Sequence, residues 1–399
     1  MLFAFLWVVL STIFLYYGKY IFEFPFSNVL GCDQYENGHE RGIAACIGVS
    51  AVYRTSFTLV IFHLLLCLLC SCRNEVVSKL NEGAWPMKFI FVILVFLLSF
   101  LISNDFFMVY GYVAMVGSCL FIIYEMILII DMAYSWNQAW VGNYDDGQSG
   151  SSRVCWGVML IIGTLATVGG GLIVHILLMT NTLAEMEEVI VLDWVLAIGP
   201  IVAAVVYFGL TIGQVVQGGS IFTCGLFFFF QSFITASGLF SDTERIEQRP
   251  GLMLLEIIIG LGFLFFVLFY MGMRTEKDPP ATTEAGEKTE AASLTEKVTN
   301  AVAEKKEDGQ EVLTSEGEVT QPVSEKAVLF HFLMAFASLY YSMVLSNWGS
   351  PVVDGRKAPY GFSSDYLAKS VIFISQWIGI LFFIWTLIAP RVCPNREYQ

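Results

Sequence analysis

Two carboxylates, Glu125 and Asp131, stand inside the apolar run FFMVYGYVAMVGSCLFIIYEMILIIDMAYSWNQAW, from Phe106 to Trp140. Acidic side chains at bilayer depth cost about 2.5–3.5 kcal/mol each on insertion scales, so they mark ion pairs, hydrogen-bond hubs or substrate paths. At 100° per residue, Gly111, Ala114, Ser118 and Glu125 fall on one face of a helix, and Tyr124, Asp131, Tyr134, Ser135 and Gln138 on another. The small residues of the first face permit close helix approach and turn Glu125 toward protein rather than lipid. The second face is a polar stripe able to border a hydrated groove. Asp131 also has a plainer reading, as a residue that caps or pairs near the membrane surface beside the interfacial Trp136 and Trp140.

Other ionisable residues in or near apolar stretches are Arg54, His63, Lys88, His175, Asp193, Glu256 and His331. Glu256 lies in LMLLEIIIGLGFLFF with no nearby cation in its own helix, and Arg54 and Lys88 are buried polar candidates that could pair with Glu256 or Glu125. A lone histidine in a span is read first as a helix–helix hydrogen bond, which covers His63 and His175. Four cysteines (Cys67, Cys70, Cys119, Cys224) sit in or at the edge of apolar runs as small hydrophobes. Cys67, Cys70 and Cys72 also close an apolar run, where S-palmitoylation is an option. Cys32 and Cys46 flank the polar loop GCDQYENGHERGIAAC, which closes a disulfide if it faces an oxidising compartment.

The elements that must position these residues are membrane helices. The chain of 399 residues is 56% hydrophobic and 14% charged, with 34 Phe, and its apolar residues come in long blocks. That pattern is an all-α polytopic membrane protein and excludes a soluble globular fold. Apolar blocks long enough to cross lie near 2–22, 47–70, 86–103, 106–134, 154–179, 189–210, 219–240, 251–273, 327–346 and 368–389, ten helices in all. The fourth is too long for one ordinary span. The first, MLFAFLWVVLSTIFLYY, lacks a basic n-region and a cleavage site, so it reads as a span rather than a leader.

Division follows from these blocks: 1–274 holds helices one to eight, 275–325 a disordered acidic loop, and 326–399 helices nine and ten with a short tail. The loop segment is rich in Glu, Lys, Thr, Ala and Pro without aromatics, and buries too little to offset its ordering entropy. It also carries much of the net charge of -14. Without a basic patch interleaved with aromatics, nucleic acid is no partner. An even helix count puts both termini on one side, and Lys and Arg balance between the two sides, so charge alone does not orient the chain. There is no GxxxxGK[ST], HExxH or GxSxG, which leaves ATP hydrolysis, zinc proteolysis and hydrolase chemistry unsupported. The expectation is a non-enzyme without cofactor, metal or catalytic residue.

Several blocks together resemble the serine incorporator family, also called the TMS membrane proteins. They are Cys32 and Cys46 leading into AVYRTSF (51–57), NEGAWPMKF (81–89), DMAYSWNQAWV (131–141), SSRVCW (151–156), FHFLMAFASLYYSMVLSNWGSP (330–351) and SQWIGILFFIWTLIAP (375–390), in the family's order. The resemblance implies ten helices in two bundles joined by a long oblique fourth helix, with both termini and the loop after helix eight in the cytosol. It also places the Cys32–Cys46 loop outside, which favours the disulfide. It departs from the family at FITASGLFSD (233–242) and in the short loop around Glu185–Glu188, so antiviral activity is not carried over.

On function, the resemblance implies ATP-independent phospholipid scrambling in a secretory or plasma membrane. The head group would travel along Asp131, Tyr134, Ser135 and Asn137, and Glu125 would shape the bundle contact. Membrane phospholipids or sphingolipids are the expected partners, with a homo-oligomer as an option. The alternative is a scaffold or carrier that supplies serine to enzymes making phosphatidylserine and sphingolipids. Secondary transport of a small solute has only the Gly169–Gly171 run and Gly199-Pro200 as hints.

Overall fold

A computed structural model describes residues 2–30, 40–72, 75–147, 150–183, 191–213, 219–240, 250–277, 325–348 and 364–392. Among the described residues every regular element is helical. In order they are α1 (Leu2–Leu30), α2 (Glu40–Ser71), α3 (Glu75–Glu82), α4 (Trp85–Ser99), α5 (Asn104–Asp145) and α6 (Gly150–Leu177). Then come α7 (Val191–Ile212), α8 (Ile221–Phe240), α9 (Pro250–Lys277), α10 (Glu325–Leu345) and α11 (Ser364–Val392). Helices are what long apolar runs must form in lipid, because each backbone N–H and C=O then finds its partner within its own segment.

Among the described residues, seven of these helices are long and apolar enough to cross a membrane, and three more apolar stretches are shorter: Phe5–Gly18, Trp85–Ser99 and Ile257–Tyr270. The ten apolar blocks read from sequence thus all fall within helices, and among the described residues seven of them meet both the length and the apolarity of a span. α3 was not among them; it is an eight-residue amphipathic helix leading into α4. The proposed loop 275–325 and Cys32 lie almost wholly or wholly outside the described residues.

Packing divides the helices. α1, α2, α4 and α10 gather on one side, α6, α7, α8 and α11 on the other, and α9 packs on α5, α8 and α10. α5 touches both groups. With 42 residues it is about 63 Å long at 1.5 Å per residue, twice the roughly 30 Å hydrocarbon core. It is the long connecting helix that the 106–140 window called for.

Side-chain bonds show which helix ends lie together. Asn347 Nδ2 donates to Phe240 O at 2.7 Å and Trp348 Nε1 to Ser237 Oγ at 3.1 Å, joining the ends of α10 and α8. Tyr53 near the head of α2 meets Ser346 at 3.4 Å. Asn347 and Trp348 take left-handed φ of 49° and 59°, and Trp348 N reaches back to Met343 O at 2.8 Å, closing α10 with a Schellman-type turn.

Pro200 inside α7 shows how a breaker is accommodated. Proline has no N–H, so the carbonyl four residues earlier loses its partner. That carbonyl, Leu196 O, instead accepts Thr235 Oγ1 of α8 at 3.3 Å. A neighbouring helix supplies the bond, which is the condition for proline within a span.

Candidate functional site

The polar stripe of α5 comes to lie against three helices. Tyr270 of α9 donates its hydroxyl to Asp131 Oδ2 at 2.7 Å, and Ser135 Oγ lies 3.3 Å from the same Tyr270 oxygen. A phenol has one proton, so with it given to Asp131 the Ser135 hydroxyl is the donor of the second bond. Asn137 Oδ1 accepts from Ser220 Oγ at 2.7 Å. Ser220 in turn accepts from Phe222 N at 3.2 Å, so it caps α8 while fastening α8 to α5. Tyr134 meets the Thr386 hydroxyl of α11.

Aromatic rings frame this segment. Trp136 stacks on Trp140 with centroids 6.0 Å apart and meets Phe266 of α9 edge-on at 5.5 Å. Trp140 lies 5.1 Å from Phe222 at the head of α8. Asp131, Tyr134 and Asn137 are half-buried, whereas Ser135 and Trp136 are exposed. The stripe is therefore a hydrogen-bonded seam between α5 and its neighbours, open along the edge that carries Ser135 and Trp136.

Glu125 sits deeper. It is fully buried, and neither carboxyl oxygen has a hydrogen-bond partner among the described residues. Its face also holds Ala114 and Ser118, both 0% exposed, as the small-residue pattern predicts. The next residue, Met126, packs on Gly379 of α11 and receives Gln231 Nε2 of α8 on its sulfur at 3.4 Å. Close by in these helices, Gln376 Nε2 donates to Thr235 Oγ1 at 2.8 Å and Ser375 Oγ to Cys119 Sγ at 3.1 Å. The core where α5, α8 and α11 meet is thus polar, and Gln231 and Gln376 were missed in sequence although two glutamines in apolar runs signal it.

Among the described residues, the buried cations Arg54 and Lys88 bond to backbone carbonyls and rings. Arg54 is 0% exposed and donates from its two terminal nitrogens to Ser50 O at 3.2 Å and Ile102 O at 3.1 Å, with the Phe107 ring at 4.3 Å, while its Nε has no hydrogen-bond partner among the described residues. Among the described residues it has no carboxylate partner, so its role is to clamp the turn between α4 and α5. Lys88 is buried, donates to Asn81 O at 2.7 Å and lies 4.5 Å from the Trp85 ring centroid. Glu256 belongs to α9, and its side chain lies outside the described residues.

Both histidines expected to serve packing are engaged. His63 Nδ1 and His331 Nδ1 are 3.1 Å apart, and His331 Nε2 is 2.7 Å from Asn81 Oδ1. With Asn81 Oδ1 as acceptor, His331 carries its proton on Nε2, and His63 must donate from Nδ1. The chain of bonds joins α2, α10 and α3, and Lys88 extends it to α4. His175 Nδ1 meets Gly171 O of its own helix at 3.2 Å, and its ring stacks on Phe228 of α8 at 5.1 Å. Asp193, singled out without a partner in sequence, pairs with Lys369 at 2.9 Å.

Cys46 is buried and disulfide-bonded. Cys67, Cys70, Cys72, Cys119, Cys155 and Cys224 are free thiols. No group of three metal-ligating side chains comes together among the described residues.

An all-α chain with several apolar membrane-length helices and a long helix bridging two bundles is an integral, multi-pass membrane protein. The family model described as Serine incorporator (Serinc) matches residues 1–396, and the chain belongs to that family. A probable serine incorporator of Nematostella vectensis is 27% identical, with 88% of this chain and 81% of that protein covered. Serine incorporator 3 of Bos taurus is 24% identical over 88% of this chain and 80% of its own. Serine incorporator 2 of Homo sapiens is 24% identical over 100% of this chain and 90% of its own.

Proposed function

We propose that the protein moves phospholipids between leaflets without ATP, along the seam between α5 and its neighbours. One observation carries this reading: Asp131, Tyr134, Ser135 and Asn137, on about two turns of one helix, bond to α9, α11 and the head of α8. A lipid flips slowly because its head group must shed water before entering hydrocarbon. A seam of hydroxyl, amide and carboxylate groups offers replacement bonds at every step, while the acyl chains stay in the bilayer. Such bonds lower the barrier equally in both directions, so leaflets equilibrate and no gradient is built.

Glu125 supports the reading from the interior. A buried carboxyl without a bond is costly, and ionisable residues within spans are functional candidates by default. The chemistry asks for no nucleophile or general base, so the protein acts as a conduit rather than an enzyme, in a secretory or plasma membrane. The test is reconstitution into liposomes with fluorescent phospholipids and dithionite bleaching without ATP. Bleaching beyond the outer-leaflet half, with leakage controls normal, is expected; bleaching that stops at half would shift the reading to a carrier of serine for lipid-synthesising enzymes.

A further inference from the structure

α2 carries two different kinds of cysteine at its two ends. Near its head Cys46 is disulfide-bonded, and in its last turns Cys67, Cys70 and Cys72 are free thiols. Cys46 and Cys72 are about 39 Å apart along a helix rising 1.5 Å per residue. Disulfides persist in oxidising compartments, so Cys46 marks the head of α2 as its outer end, and a helix of 32 residues is long enough to bring its last turns to the opposite, cytosolic surface.

The three thiols differ in access. Cys70 is 0% exposed, Cys67 is half-buried, and Cys72 is exposed, its Sγ 3.7 Å from Leu68 O. Cys72 ends the stripe of α2 that carries exposed Leu65 and Leu68, the face turned to lipid tails. Cys67 lies two turns beyond Val60 and within about 20° of it around the helix. Val60 and Leu64 form one wall of an apolar crevice of about 540 Å³, with Val113 and Leu120 of α5 and Phe332 and Leu339 of α10 opposite. Its α5 wall, from Tyr110 to Leu120, runs about 15 Å, the half-thickness of a hydrocarbon core.

We propose that Cys67 and Cys72 are S-acylation sites, and that the chain attached to Cys67 fills the crevice between α2, α5 and α10. The cysteine thiolate attacks the thioester carbonyl of a long-chain acyl-CoA. A new sulfur–acyl bond forms, the bond to the CoA sulfur breaks, and the CoA thiolate leaves and takes up the proton. No oxidant or reductant is needed. Juxtamembrane thiols are the usual acceptors of this reversible modification, and the crevice gives this one a groove along the lipid-facing side of the bundle in which its chain can lie. The inference is independent of lipid translocation.

The tryptic segment 55–73 contains Cys67, Cys70 and Cys72 and no other cysteine. Full-length protein purified from eukaryotic membranes should yield this segment with two acyl groups that hydroxylamine removes. Cys67→Ser and Cys72→Ser should each remove one, the double variant both, and Cys70→Ser none. An unmodified segment from the wild-type chain, read without any variant, would overturn the proposal. An acyl mass on Cys72 alone would hand the crevice to free bilayer lipid and overturn the assignment of Cys67.

Discussion

Asp193 at the head of α7 and Lys369 at the head of α11 form a 2.9 Å ion pair in which the side chains are 0% and 6% exposed. It ties together two helices of the second bundle at a depth where neither charge reaches water. Breaking a buried pair by removing one partner costs about 3–5 kcal/mol, whereas replacing both is close to neutral. Lys369→Met should therefore lower the unfolding temperature in detergent sharply, and Asp193→Asn combined with Lys369→Met should recover most of it. A double variant no more stable than the single would show that the pair contributes nothing specific.

The bond from Tyr270 to Asp131 is the most direct handle on the seam. Hydrogen bonds to charged groups contribute about 1.5–3 kcal/mol, and 1.4 kcal/mol is tenfold in rate. Asp131→Ala should slow lipid exchange in liposomes by roughly tenfold or more, while the variant elutes from a sizing column as the wild type does. Tyr270→Phe keeps the carboxylate and loosens α9 from α5, so it should slow exchange less. Unchanged rates in folded Asp131→Ala would remove that residue from the path.

Arg54 bridges α2 to the α4–α5 turn through two separate nitrogens, one to Ser50 O and one to Ile102 O. A lysine presents a single point charge and cannot span both carbonyls or lie flat over Phe107. Arg54→Lys should cost about 1–3 kcal/mol, the penalty of a buried acceptor left unmade. The loss should be local as well as global, so hydrogen exchange at Phe100–Ile102 should rise first. Slow exchange there in a destabilised Arg54→Lys protein would place the clamp elsewhere.

Much of this architecture is legible from residue pattern alone, for reasons that also mark where legibility stops. Apolar runs specify helices because lipid permits little else, so the blocks at 154–179 and 219–240 correspond closely to α6 and α8. The length of α5 follows from its unbroken apolar run, and the burial of Glu125 from its small-residue face. α3 escaped because eight amphipathic residues outside the hydrocarbon core carry a weak signal. Helix partners escaped because periodicity says which face is buried and not against what: Asp193 with Lys369, His63 with His331 and Tyr270 with Asp131 are far apart in the chain. Sequence left the partners of Arg54 and Lys88 open, because backbone carbonyls at helix ends and aromatic faces can serve a cation as carboxylates do.

Glycines make the last contrast, since their fate depends on what stands beside them. Gly48 of α2 lies against α1 so closely that a Cβ would run into the carbonyl of Leu15, with Leu15 Cα only 3.2 Å away. Backbone atoms of a helix cannot step aside, so Gly48→Ala must push α1 off α2, and such overpacking costs about 1–3 kcal/mol. Gly262 of α9 has nothing within 4 Å of its would-be Cβ. Gly262→Ala should therefore stabilise α9 by about 0.5–1 kcal/mol through helix propensity alone. Thermal unfolding of the two variants side by side in one detergent reads the difference, and Gly48→Ala unfolding no earlier than Gly262→Ala would mean that α1 and α2 do not meet at Gly48.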